Sequence, residues 1–143
     1  MTQDNKNTVI CAAFCGSGKT YICEKTNNIE VEYWKYKDKR LYKEYIDEIK
    51  SHIGQVDYIF IATDPEGLKL LYDENLEITL IYPKNELRNE YLDRYIERNS
   101  PYDFIGVFMT HWELWINELK DQKYCKHIVL ESGQYLQDVL FKK

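Results

Sequence analysis

Between Ile10 and Lys25 the chain reads ICAAFCGSGKTYICEK, an apolar run, a glycine-bearing turn and the start of a helix. Gly18, Lys19 and Thr20 occupy the end of the pattern glycine, four residues, Gly-Lys-Ser/Thr, and Ala13 stands where the first glycine belongs. The chemistry of that spacing is phosphate binding. Main-chain N–H groups in such a turn form a cavity for phosphate oxygens, the lysine reaches the β- and γ-phosphates, and the hydroxyl at the last position ligates Mg²⁺. Cys15, Gly16, Ser17, Gly18, Lys19 and Thr20 are therefore the candidate holders of a nucleoside triphosphate. Ala13 departs from the pattern by one methyl group, which matters only where φ is positive.

A second group of residues bears on what happens to a bound phosphate. Arg94 and Arg98 stand four apart in NELRNEYLDRYIERNSP, on the helical face that also carries Leu87 and Tyr91. Two guanidinium groups so placed can neutralise charge on a phosphoryl group in transfer. The competing reading is a pair of surface arginines bonded to Glu90, Asp93 or Glu97. Asp64, after an apolar strand, can hold Mg²⁺ through water beside Thr20. Glu32 can orient or deprotonate an attacking oxygen, and it reads equally as an exposed strand carboxylate. Arg40 and Arg88 are candidates for gripping an acceptor phosphate, with a solvated basic turn as the alternative for Arg40. Trp34 and Tyr36 can sandwich a base, but their spacing favours packing. No NKxD string suited to reading guanine follows the loop; the nearest, Asn5-Lys6-Asn7, lies in the N-terminal stretch.

The elements needed to position these groups follow from periodicity. Thr8–Ala13 is a strand buried on both faces, and a helix from Gly18 ends near residues 26–28. IEVEYWKY, 29–36, alternates as a second strand, and a charged helix covers about Arg40 to Ile53. Residues 56–64 form the third strand, with Pro65 opening a helix, and 77–83 form the fourth. A helix over about Asn85–Arg98 precedes a long one carrying Phe104, Phe108, Trp112, Trp115, Ile116 and Leu119; residues 126–132 form a fifth strand before a short terminal helix. Strands alternating with helices imply a five-stranded parallel sheet covered on both faces, an α/β fold of three layers, with ligands beyond the carboxyl ends of the strands. The loop after the first strand lies at that end.

At 143 residues and 44% hydrophobic composition the chain suits one compact domain, 1–143, with a polar tail over 1–7. A net charge of −5 argues against general nucleic-acid binding. No apolar run is long enough to span a membrane and the start MTQDNKNT is not a signal peptide, so the expectation is a cytoplasmic protein. Cys11, Cys15, Cys23 and Cys125 show neither a CxxC pair nor zinc-ligand spacing, and read as reduced, mostly packed thiols. Thirteen tyrosines at helical or strand spacing read as half-buried packing.

With these residues in view, DRYIER resembles the Asp-Arg-x-x-x-Arg segment that enters the lid of adenylate-kinase-like nucleoside monophosphate kinases, and here too it follows a strand and a proline turn, LIYP. ESGQYLQDVL is similar to the segment after the last strand of those kinases, where a glycine loop lies against the donor adenine; Gly133 and Gln134 hold that place. Over nearly its full length, the chain resembles small bacteriophage-encoded nucleotide-kinase-like proteins. The resemblance implies a phosphate-loop fold with a very short lid, RNSPYD, and ATP- and Mg²⁺-dependent phosphorylation of a small nucleotide, such as a (deoxy)nucleoside monophosphate, in host cytoplasm. It implies Lys19, Arg94 and Arg98 as charge stabilisers. The departures are a chain with only four arginines and none after the lid. Two other readings stand beside it: a kinase of a nucleoside or another small hydroxyl metabolite, and a nucleotide-binding protein that transfers phosphate weakly and acts through a partner, for instance against a host defence. A homodimer is left open.

Overall fold

A computed structural model describes residues 7–141; the tail read over 1–7 lies outside the described residues except for Asn7. Five strands, β1 (Val9–Ala13), β2 (Asn28–Val31), β3 (Tyr58–Ile61), β4 (Ile78–Pro83) and β5 (Lys126–Leu130), form one sheet in the order β2-β3-β1-β4-β5. Every pairing is parallel, as strands joined through helices require. The helices are α1 (Lys19–Lys25), α2 (Tyr33–Lys37), α3 (Tyr42–His52), α4 (Pro65–Tyr72), α5 (Arg88–Glu97), α6 (Tyr102–Lys120) and α7 (Leu136–Leu140), with a single 3₁₀ turn at Asn85–Leu87.

Alternation along the strands divides the core in two. Ile10 and Ala12 of β1, Ile59 and Ile61 of β3, and Ile78 and Leu80 of β4 face one side, with Tyr45 and Ile49 of α3, Leu68 and Leu71 of α4, Tyr91 and Tyr95 of α5, and Trp112 and Ile116 of α6. Cys11, Ala13, Phe60, Ile81 and Leu130 face the other, with Ile22 of α1 and Leu136 of α7. The division follows from the crossovers. From β1 the chain moves past β3 to the β2 edge; the connections from β2 to β3, β3 to β4 and β4 to β5 all run the opposite way. Crossovers of one hand therefore put α1 on one face and the intervening helices on the other. β1 and β3 are neighbours whose connections leave in opposite directions, which opens a crevice between their carboxyl ends.

The second strand is shorter than its alternation suggests. It ends at Val31, and Tyr33, Trp34 and Tyr36 lie on α2 instead. Tyr33 is fully buried there: its ring packs on Gly67 of α4 and edge-on to Tyr45 at 5.1 Å, and its hydroxyl bonds Glu66. Packing of one aromatic side chain outweighs the strand pattern. Pro65 opens α4 as the sequence indicates, with Asp64 Oδ1 accepting from Glu66 N–H at 2.9 Å.

Trp112 joins the 3₁₀ turn to the core, its Nε1 donating to Asn85 O at 2.8 Å and its ring edge-on to Phe14 at 5.4 Å. Trp112→Ala is expected to lower unfolding free energy by about 3–5 kcal/mol, whereas Ile96→Ala, on the exposed side of α5, changes it by less than about 0.5 kcal/mol. Urea titrations of the two variants give the comparison.

Candidate functional site

The sheet carries the chain one residue past β1 before releasing it, since Phe14 N–H still donates to Ile81 O at 2.9 Å. Ser17 N–H then donates back to Phe14 O at 3.2 Å, and Gly16 and Gly18 take φ of +89° and +98°. Both glycines are required twice over. A Cβ at Gly16 would stand 2.8 Å from Tyr95 Cε1, and one at Gly18 would stand 2.9 Å from Tyr135 Cδ1. Ala13 is still in β1, where no positive φ is needed, so its methyl group is accommodated.

Three residues hold this loop in place. Tyr95 Oη donates to Cys15 O at 2.9 Å, and burial pushes the Tyr95 phenol far above its ordinary pKa, so the donor keeps its proton. Leu136 N–H, opening α7, donates to Ser17 O at 2.8 Å. Arg94 does most. Its Nη1 donates to Gly16 O at 2.8 Å, and its Nη2 donates to Gln134 O and to Glu90 Oε2, both at 3.0 Å. The guanidinium lies between the rings of Tyr91 and Tyr135, 4.3 and 3.9 Å from their centroids, and the side chain is 9% exposed. Glu90 in turn accepts from Ser132 Oγ at 2.5 Å and Gly133 N–H at 2.9 Å. These two bonds, with the Arg94 charge beside them, hold the Glu90 carboxyl below its ordinary pKa.

Over the loop lies a cleft of about 660 Å³, at the crevice between β1 and β3. Cys15, Gly16, Gly18, Lys19, Thr20, Arg94 and Arg98 line it, joined by Ala62 and Thr63 after β3, Glu97, Phe108 and Tyr135. Five of the six loop residues read from the sequence and both arginines thus meet in one place, while Ser17 does not line the cleft. Lys19 is half exposed, with Nζ 3.6 Å from Glu30 Oε2 of β2. Arg98 donates through Nε to Ser100 Oγ at 3.1 Å and through Nη2 to Cys15 Sγ at 2.9 Å. The segment read as a lid is the tight turn between α5 and α6, closed by Ser100 N–H to Tyr95 O at 3.0 Å.

The remaining candidates lie elsewhere. Glu32 precedes α2 and pairs with Lys35 at 3.2 Å, outside the cleft's lining. Arg40 sits exposed in a left-handed turn at φ 57°. Arg88 donates through Nε and Nη2 to Met109 O, tying α5 to α6. Asp64 caps α4 and lines an adjoining cavity, with Oδ2 3.9 Å from Lys37 Nζ. Gly133 and Gln134 contribute main-chain groups to the Arg94–Glu90 clamp. Ser17 is buried, and its Oγ has no hydrogen-bond partner among the described residues. Tyr135 and Glu30 carried no sequence signal, since each acts through a neighbour distant in the chain. Among the described residues no group of three or more His, Cys, Asp or Glu side chains is arranged to hold a metal ion. None of the described helices is long and apolar enough to cross a membrane, and all four cysteines are free.

Comparison of the chain with protein-family models, with curated proteins and with solved structures finds no match.

The clamp has a pH signature. Because the folded state lowers the Glu90 pKa, its contribution to stability is present above the ordinary carboxylate pKa and is lost as pH falls through that range and below it. Glu90→Gln is expected to be less stable than the parent at pH 7, with the gap narrowing toward pH 3. Urea midpoints of both proteins across that range measure it; a gap constant with pH contradicts the assignment.

Proposed function

We propose that the protein binds a nucleoside triphosphate with Mg²⁺ at the 13–20 loop, in the manner of a phosphate-loop fold, and transfers the terminal phosphoryl group to a small acceptor of the nucleotide or nucleoside class. One observation carries the reading: the loop, Lys19, Thr20 and Arg98 line a single cleft of about 660 Å³ at the crevice between β1 and β3. That size suits a bound nucleotide.

The residues fit the donor. Lys19, Arg98 and the Thr20 hydroxyl line the cleft together, which is the donor set that a phosphate and its metal ion call for. Lys19 is held only loosely by Glu30: a half-exposed pair at 3.6 Å is worth about 0–1 kcal/mol, whereas a charge-assisted contact to phosphate is worth about 1.5–3 kcal/mol. The lysine therefore leaves Glu30 when phosphate is present. Thr20 would ligate Mg²⁺ through its hydroxyl and Asp64 would hold it through water, and the ion would screen the phosphate charge.

In the reaction, the acceptor oxygen forms a bond to the terminal phosphorus and the bond to the bridging oxygen breaks. The nucleoside diphosphate leaves with the electron pair, and an acceptor hydroxyl releases its proton to solvent water. Lys19 and Arg98 neutralise charge on the moving group. Arg94, buried and with donors on two carbonyls and a carboxylate, is a positioning residue that fixes the loop. That leaves few cations at the cleft, and it favours as second reading a nucleotide-binding protein that transfers phosphate slowly and acts through a partner.

Lys19→Ala is expected to weaken binding of ATP with Mg²⁺ at least tenfold by calorimetry, and Glu30→Gln to strengthen it by up to about fivefold. Arg98→Ala should lower kcat about a hundredfold while moving the ATP dissociation constant far less, and Arg98→Lys should not restore the rate. Phosphoryl-transfer assays across nucleosides and nucleotides supply the readout; ATP binding through Lys19 with no transfer to any acceptor makes the second reading the better one.

A further inference from the structure

β5 begins at the opposite end of the sheet from the main cleft: Lys126, its first residue, pairs with Thr79 near the start of β4. Cys125 just precedes β5 and His127 lies within it, and extended backbone projects residues at this spacing from one face. Their side chains meet. Cys125 Sγ lies 3.6 Å from His127 Nε2, and Gln122 O lies 2.6 Å from the same nitrogen. A carbonyl can only accept, so Nε2 carries the imidazole proton and Nδ1 accepts from Tyr82 Oη at 2.9 Å. That one proton sits among a thiol sulfur, an imidazole nitrogen and a carbonyl oxygen, and all three are atoms that bind metal ions.

The 3.6 Å separation has a meaning in coordination chemistry. Zn²⁺ binds thiolate sulfur at about 2.3 Å and imidazole nitrogen at about 2.0–2.1 Å, and at the tetrahedral angle these bonds set sulfur and nitrogen about 3.6 Å apart. The two side chains already stand at the spacing of ligands on one ion. Their neighbours fix them there. Tyr82 is buried, with its ring edge-on to the imidazole at 5.7 Å. Tyr72 Oη donates to Gln122 Oε1 at 2.9 Å, and Gln122 Nε2 donates to Glu118 O at 3.2 Å, which holds the carbonyl's segment in place. Cys125 is half-buried and His127 exposed, so an ion reaches the pair from solvent.

We propose that Cys125 and His127 chelate a thiolate-binding transition cation, with Zn²⁺ as the type. On binding, the Cys125 thiol releases its proton to solvent and the sulfur bonds the metal. The imidazole stays neutral: Nε2 gives up its proton to solvent and bonds the metal, while Nδ1 takes a proton from solvent and donates it in a hydrogen bond to Tyr82 Oη. An outer hydrogen bond of this kind orients a metal-bound imidazole. Gln122 O faces the same position, and with two protein side chains the site stays open to water. Neither Cys125 nor His127 lines the main cleft, so the site is independent of the phosphoryl-transfer reading. Mg²⁺, a hard cation that prefers oxygen, is not its ion.

The test titrates the reduced full chain with Co²⁺, whose bond to thiolate gives a charge-transfer absorption in the near ultraviolet, and then displaces it with Zn²⁺. The expected result is a saturable sulfur-to-cobalt band that Zn²⁺ removes, excess Mg²⁺ does not, and Cys23→Ser retains. Cys125→Ser is expected to abolish the band, and His127→Gln to weaken Co²⁺ binding at least tenfold. Both positions are at least partly exposed, so these variants are expected to fold, and circular dichroism verifies it. Absence of the band in the parent protein, a band that survives Cys125→Ser, or Co²⁺ affinity unchanged in His127→Gln overturns the proposal.

Discussion

The guanidinium of Arg94 ties together three stretches of chain that are remote in sequence: the loop after β1 through Gly16 O, the turn after β5 through Gln134 O, and its own helix through Glu90. Glu90 closes the arrangement by accepting from Ser132 and Gly133 in that same turn. The site's shape depends on this pair, which joins the Tyr95 and Leu136 bonds in holding a loop with two residues in left-handed conformations. A lysine could not replace it. A point charge lacks both the fork of donors and the flat surface that fits between Tyr91 and Tyr135. With Arg94 removed, the carbonyls of Gly16 and Gln134 would lose this donor and Glu90 would lose its cation, keeping Ser132 and Gly133.

The aromatic side chains complete the mould. Tyr95 and Tyr135 abut Gly16 and Gly18 so closely that no Cβ fits, and Phe14 packs edge-on against Tyr91, Phe108 and Trp112. The many tyrosines therefore shape and fasten the loop from behind. This division leaves Lys19 and Arg98 as the cations presented to the cleft, one on a loose pair with Glu30 and the other resting on Cys15 and Ser100. Under the proposed donor role, a loop fastened from behind with two cations in front would receive a polyanion at little reorganisation cost.

Much of this was legible in the sequence. Continuous apolar runs mark β1, β3 and β4, Pro65 marks the start of α4, and the three- and four-residue steps from Phe104 to Leu119 mark α6. Three features were not. The alternation of Ile29, Val31 and Tyr33 extends the second strand too far, because the burial of Tyr33 comes from α3 and α4, which a local pattern does not contain. Spacing alone also places Arg94 and Arg98 on one face without separating their roles. Arg94 meets Glu90 one turn earlier, as its competing reading allowed, but its bonds to Gly16 and Gln134 depend on tertiary structure. The places of Arg40 and Arg88, the candidates for an acceptor phosphate, also depend on tertiary structure: Arg40 lies in an exposed turn, Arg88 donates to Met109 O, and neither lines the main cleft.

The central claim is that the 13–20 loop and the crevice between β1 and β3 form the donor site. An amide NMR titration of the isotope-labelled protein with ATP and Mg²⁺ tests it most directly, because all parts of the fold report at once. The account predicts saturable shifts at Cys15, Gly16, Ser17, Gly18, Lys19, Thr20 and Arg98, with the amides of Arg40 and His52 unmoved. Shifts centred away from that loop, or none at millimolar ATP, would contradict it.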